Sequence, residues 1–424
     1  MKVLSLFDGM ACGMIAMQLA GMEVESYDAY EIDKYAIKTA RHNFPMIKEH
    51  GDVFGADFTQ YEGVDFLIGG SPCTYWSIAQ TKNRETVASG MGWELFNQYV
   101  RALHEAKPKY FIYENNKSMS KAIRASIDEI FGFEAVLINS ALVSAQNRQR
   151  IYWVGKRNDD GTYSKVDVEQ PEDRGILLRD IMENGTVWQE KSYNLTTRCC
   201  GAIPEDTLKR HRHTMVADPV CVAERGRMYC GQPQHYEART DGKTNTLTSV
   251  EKDNRVTEPV RCMQYELKER YVRDSGCVAR LDMPKCHDIL TRVYGWSGKC
   301  PTLTAHGGGN TEPKVFDCYS VCFNYSIEFD GDGKPIKAVG KDGKEITIYE
   351  VRDGKITIKG KQYPIKLKDG FYIIRKLTVR ECMRLQTVPE WYEFPVSDSQ
   401  AYKMLGNGWT CEVIAHILKS LKEA

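Results

Sequence analysis

Four short apolar runs near the start of the chain, at 3–7, 24–30, 64–68 and 109–113, each hand over at once to a glycine or an acid, and a fifth, at 151–155, follows Gln146-Asn147-Arg148-Gln149-Arg150. Runs of this length bounded by turn residues read as buried strands, and the apolar-periodic segment from about 12 to 19 reads as a helix. Strands alternating with helices make an α/β fold with a mainly parallel sheet. In such sheets ligands sit beyond the carboxyl ends of the strands, so the residues that end each run are the candidates for chemistry.

The first strand, turn and helix form a nucleotide cradle. Gly9 can take a backbone conformation closed to other residues, Gly13 lets a ligand approach the backbone, and the helix start offers unpaired N–H groups. Glu31 ends the second run, 22 residues beyond Gly9, where a carboxylate would accept hydrogen bonds from ribose hydroxyls, and Ile32 would face an adenine ring. The pattern is not the dinucleotide fingerprint GxGxxG, because Ala11 stands where the second glycine would be.

Gly69-Gly70-Ser71-Pro72-Cys73 closes the third run. Pro72 fixes its own φ and removes a donor, which stops the strand and stiffens the turn that carries the thiol. That placement suits a nucleophile, although a free cysteine alone is as readily a small buried hydrophobe. The fourth run ends in Glu114-Asn115-Asn116, so an acid joins the cleft; the alternative is a carboxylate favouring the start of a helix near Ser118. Arg148 and Arg150, two apart, share a face of the strand that follows, where guanidinium groups either form a solvated edge or bind phosphate and carbonyl oxygens.

Taken together and in order, these motifs resemble the DNA (cytosine-5)-methyltransferases, bacterial or phage type, that use S-adenosylmethionine. SLFDGMACG resembles the family's first cofactor loop, GGSPC its nucleophile loop, YENN its ENV, QNRQR its QxRxR, RKLTVRECMRLQTVPEWY its ninth motif and LGNGWTCEVIAHIL its closing GNxx segment. The resemblance covers about residues 1–156 and 370–424. Short motifs in a fixed order are far more specific than any one alone. The departures are Thr74 where many bacterial members have glutamine, Asn116 for the usual valine, Ala11 for a glycine, and Gly408-Trp409 where small or β-branched residues are common.

The resemblance implies a Rossmann-like, S-adenosylmethionine-dependent methyltransferase domain with a mixed, mostly parallel sheet, joined to a smaller irregular β-rich target-recognition domain. It implies that Cys73, Glu114, Arg148 and Arg150 are catalytic, with Arg150 on the cytosine O2 and Arg148 supporting the site or a phosphate. It assigns S-adenosylmethionine, and the product S-adenosylhomocysteine, to Phe7, Gly9, Met10, Ala11, Cys12, Glu31, Ile32, Asp52, Val53, Gly70, Pro72, Leu95, Asn407 and Trp409. Contact with double-stranded DNA falls to Ser77, Thr246, Leu247, Thr302, Leu303, Gly307 and Gly308. The partner implied is duplex DNA read by a monomer, with a cognate restriction endonuclease as a possible companion and a nucleoid-associated, cytoplasmic location.

With 424 residues the chain is long for one domain and comfortable for two. A catalytic domain is expected over 1–160 with 376–424 returning to it, and a recognition domain over 161–375. The 14 cysteines show no CxxC pair and no metal-like spacing with histidine, and no secretory or membrane-spanning run is present, as expected of a reduced, cytosolic chain. Net charge is zero, a mild argument against nucleic acid, but residues 191–310 hold 19 Lys/Arg against 14 Asp/Glu and so lean basic.

That middle segment lacks long helical periodicity and repeats a Leu-Thr step at 195–196, 247–248 and 303–304. Family members carry a Thr-Leu pair beside the loops that enter the major groove, whereas a plain strand repeat is the simpler reading of the first copy. From 324 to 375, Asp-Gly steps at 332, 342, 353 and 369 separate short alternating segments, the signature of a β-hairpin insertion. Thr378 is the expected cap of a helix to 385, and a last helix is expected over 412–421. Two other readings share these motifs: a transfer-RNA cytosine methyltransferase, and a DNA-binding relative that has lost catalysis. The long loop-rich middle favours DNA over the first, and the presence of Cys73, Glu114 and Arg150 argues against the second.

Overall fold

The computed structural model describes residues 1–72, 75–77, 84–183, 185–219, 335–340, 343–367 and 369–423, together with the backbone of short strands between 223 and 329. The chain divides into two units, one of residues 1–183, 187–216 and 376–424, the other of 184–186 and 217–375. The first unit takes in more of the chain than the sequence reading assigns to it. Residues 187–216 join it because Leu195 and Cys199 are buried in its core and the Leu195 N–H donates to the buried Gln146 side chain.

The sheet of the first unit is built from β1 (Lys2–Leu6), β2 (Ser26–Tyr30), β3 (Lys48–Glu49), β4 (Phe66–Gly69), β5 (Tyr110–Asn116), β6 (Val136–Asn139), β7 (Gln149–Arg157) and β8 (Tyr163–Lys165). Its order is β3-β2-β1-β4-β5-β7-β6, with β8 on β7. The pairs β1–β2, β2–β3, β1–β4 and β4–β5 are parallel, whereas β7 runs antiparallel to β5 and to β6. The strand order reverses between β1 and β4, so the crevice at their carboxyl ends lies between residues 7–11 and 70–72.

Side-chain alternation feeds two cores. Val3, Ile68, Ile112 and Val154 face one, packed with helix α1 (Cys12–Leu19) and the helix Cys411–Glu423; Leu4, Leu67, Phe111 and Trp153 face the other, with α3 (Met91–Ala106) and α4 (Lys121–Phe131). A sheet covered on both sides is the doubly wound arrangement the sequence implies. Between β2 and β3 lies α2 (Lys34–Asn43), capped by the Asp33 side chain on the Tyr35 N–H. The helix Val379–Leu385 is capped as expected, with Thr378 Oγ1 accepting from the Glu381 N–H and Glu381 Oε2 accepting from the Thr378 N–H.

The second unit is rich in strands. A five-stranded sheet runs in the order Lys361–Pro364, Lys355–Ile358, Ile348–Arg352, Gly370–Lys376, Met215–Pro219, and a three-stranded one joins Tyr325–Phe329, Pro335–Gly340 and Glu345–Ile346. Asp353-Gly354 makes the expected two-residue hairpin, both residues having positive φ (51° and 66°), and Lys359-Gly360 makes a second (48° and 75°). Among the described residues no helix is long and apolar enough to cross a membrane, and no group of side chains is arranged to hold a metal.

Candidate active site

The strand β5 continues three residues beyond the apolar run. Antiparallel pairing with β7 sets Glu114 opposite Tyr152, Asn115 opposite Ile151 and Asn116 opposite Arg150, so the acid lies within the strand and not at a helix start, the next helix being capped by Ser120. Glu114 and Asn116 share a face, which brings the Arg150 side chain to the carboxylate. Arg150 Nε lies 3.0 Å from Glu114 Oε1, and Trp409 Nε1 donates to Glu114 Oε2 at 2.9 Å. The residue is 9% exposed, so this is a nearly enclosed carboxylate with a donor on each oxygen.

The neighbouring strand delivers the other wall. A Cβ at Gly70 would lie 2.8 Å from the Glu114 carbonyl oxygen and 3.0 Å from Oε2, so the glycine is what lets β4 end against the acid. Ser71 Oγ and Tyr113 OH are 2.6 Å apart, and Asn115 Nδ2 donates to the Ser71 carbonyl at 3.2 Å. These bonds clamp the start of the proline turn to β5. Pro72 is exposed; Cys73 and Thr74 lie outside the described residues, as do Thr246, Leu247, Thr302, Leu303, Gly307 and Gly308. Ser77 is half-buried, on a segment where Glu85 accepts from Trp76 Nε1 and from the Gly92 N–H.

Arg148 and Arg150 part company. Arg148 is not in β7; it is 2% exposed and donates to Asn194 Oδ1 and to the carbonyls of Leu195, Gly406 and Gly408. The sequence reading allowed it a phosphate or a supporting part, and these bonds direct it to support of the loop that precedes Trp409.

At the cofactor cradle, residues 7–11 form a tight loop in which Phe7, Gly9 and Ala11 all have positive φ (57°, 64° and 61°). Such a conformation in a phenylalanine is rare and strained, and is found where a site over-determines the backbone. Glu31 shapes the loop by accepting from the Gly9 N–H at 2.9 Å and from the Ile32 and Asp33 N–H groups, both at 2.8 Å. Asp52 is exposed and caps the turn at Phe54, Val53 is buried, Leu95 is half-buried on α3 and Asn407 is exposed. Met10, Ala11 and Cys12 are core residues, 1%, 0% and 3% exposed. Ile32, by contrast, is 74% exposed.

Beneath the loop lies a polar knot that sequence reasoning missed. Asp8 Oδ1 accepts from Ser5 Oγ and Tyr27 OH, both at 2.6 Å, while Oδ2 is buried without a partner. Burial raises its pKa to about 6 against the pull of those two hydroxyls, with Glu31 adding to the rise. Glu49, both of whose oxygens are buried without partners, is likewise pushed up to about 8 by burial and by Asp8. Also missed were the Asn115 clamp and the bond from Trp409 to Glu114; the one sequence signal for the latter was a tryptophan where the family favours small residues.

A sheet whose order reverses beside a cradle, with an acid on the next parallel strand, is the Rossmann-like arrangement of a methyltransferase domain. The model of the C-5 cytosine-specific DNA methylase family matches residues 1–275 and 301–423, and the chain belongs to that family. Its relatives include the orphan methyltransferase M.Rho11sI of Bacillus phage rho11s, 26% identical over 506 residues, and the putative type II methyltransferase M.BsuMIIP of Bacillus subtilis (strain 168), 26% identical over 476, each alignment spanning 99% of this chain and 97% of the relative. The type II methyltransferase M.BanI of Aneurinibacillus aneurinilyticus is 24% identical over 452 residues, spanning 99% of this chain and 95% of the relative.

Proposed function

We propose that the protein transfers a methyl group from S-adenosylmethionine to C5 of a cytosine turned out of duplex DNA, through a covalent bond between Cys73 and C6. The observation that carries this reading is the enclosed Glu114 carboxylate, held by Arg150 and walled by the glycine-serine turn that leads into Cys73. Family membership and the named methyltransferase relatives support the reaction class.

The cradle fits the cofactor. Gly9 has open space where a Cβ would be, Glu31 carries acceptors for ribose hydroxyls, and the exposed Ile32 offers an apolar surface that an adenine ring would cover. When bound, S-adenosylmethionine supplies an electrophilic methyl group. The protein's own part is to make C5 nucleophilic. Cys73 adds as thiolate to C6, and Glu114 supplies a proton to N3 as the ring's electrons shift, giving an enamine with density at C5. After C5 is methylated, its proton passes to a solvent water or hydroxide, the C5–H electrons re-form the C5–C6 double bond and expel the Cys73 thiolate, and N3 returns its proton to Glu114. Arg150 steadies the acid and the cytosine O2. A stacked base cannot reach these groups, so the target is extruded at a cost of a few kcal/mol.

Incubation with labelled S-adenosylmethionine and either duplex DNA or transfer RNA tests the proposal. Label is expected in DNA, and Cys73→Ser should abolish transfer while cofactor still binds. A duplex carrying 5-fluorocytosine at the target should become covalently attached. Label in transfer RNA alone, or an active protein that never forms the adduct, would overturn it.

A further inference from the structure

The geometry points to Trp409 as the residue that aims Glu114 at the cytosine, acting through its indole N–H and not through its ring. This rests on the role given to Glu114 above. A glutamate side chain has three rotatable bonds, and a misplacement of about 1 Å in a catalytic group can cost roughly a hundredfold in rate. Two donors fix this one: Arg150 Nε on Oε1 at 3.0 Å, from β7, and Trp409 Nε1 on Oε2 at 2.9 Å, from the far end of the chain.

The loop that carries the indole is built to hold it still. Gln386, fully buried, donates through Nε2 to the carbonyls of Leu405 at 2.6 Å and Gly408 at 3.1 Å, and Arg148 donates to those of Gly406 at 3.2 Å and Gly408 at 2.7 Å. Thr410 Oγ1 pairs with Ser140 Oγ at 2.8 Å. At Gly406 an added Cβ would come within 2.4 Å of the Thr196 backbone, so the loop has no room to shift that way. Side chains on either side of Trp409 thus brace its backbone, and the indole hydrogen goes to the acid on β5. A tryptophan needed only to fill space would be satisfied by any acceptor; this one takes the group the reaction uses.

Trp409→Phe keeps an aromatic ring and removes the donor. In the full-length protein kcat for DNA methylation, measured at saturating S-adenosylmethionine, should fall roughly tenfold or more, the range of a hydrogen bond to a charged group, with KM for DNA as in the parent. Nitrogen-15 NMR supplies a reading independent of turnover: the indole resonance lost in Trp409→Phe should move in Glu114→Gln. Unchanged kcat in Trp409→Phe, a loss of cofactor affinity that accounts for the whole effect, or an indole resonance indifferent to Glu114→Gln would each overturn the inference. Should Trp409→Phe fail to fold, the response of the parent's indole resonances to Glu114→Gln decides. A parent protein that methylates nothing defeats the proposed function instead, and the resonance still reports whether the bond exists.

Discussion

Two acids, Asp8 just past β1 and Glu114 within β5, lie at strands flanking β4 and meet opposite fates. Glu114 has a donor for each oxygen, whereas Asp8 has two hydroxyls on one oxygen and nothing on the other. Asp8 has an ordinary pKa of 3.8 and a folded value of about 6. Between those values the folded state binds the proton more tightly, so stability falls as pH rises from about 4 to about 6 and stays lower above that, by on the order of 3 kcal/mol for a fully buried group. Asp8→Asn removes the charge and keeps an acceptor for Ser5 and Tyr27. Its unfolding midpoint should therefore gain on the parent's as pH is raised from 4 to 7.5, and a gap that narrowed over that range would contradict the assignment. Holding a costly acid under a loop with three positive φ angles is the kind of local conflict that marks a functional site.

Among the elements, β4 and β5 do most to assemble the pocket, and they show where sequence reading stops. The apolar run ending at Tyr113 was readable as a strand; Glu114, Asn115 and Asn116 were not, because polar residues lack strand propensity and only the partner β7 carries them on. The thiol's turn was readable through Gly70 and Pro72, yet the reason for the glycine lay in the Glu114 backbone carbonyl and carboxylate it abuts, a contact 44 residues away. Gly70→Ala should push that carboxylate off its donors: methyl transfer at saturating S-adenosylmethionine should drop by at least tenfold, since overpacking by one methyl is absorbed at roughly 1–3 kcal/mol. Steady-state rates beside equilibrium binding of S-adenosylmethionine test this, and a variant with normal turnover would show that the wall yields. Trp409 was legible as a site residue through the closing motif, but its bond to Glu114 was not, as no local pattern links it to a strand 295 residues earlier.

In the molecule as a whole, the first unit is made of three stretches of chain with the second unit's residues running between them. The motif order indicated that the end of the chain returns to its beginning, though not how much it carries. The helix Cys411–Glu423 packs on α1 and buries Val413, Ile414, Ile417, Leu418 and Leu421. At roughly 1.5–3 kcal/mol per side chain their burial rivals the entire stability of a domain. A protein ending after residue 407 should be recovered unfolded, by circular dichroism, and without affinity for S-adenosylmethionine; a folded, cofactor-binding product would show the helix to be dispensable.

The packing of α1 against that final helix also sets an order of events during synthesis. The ribosome releases α1 long before Cys411–Glu423, the helix whose side chains complete the core around it. Until that helix has been made, the core that backs the loop at 7–11 stays open, so folding of the first unit waits on the last of its three stretches.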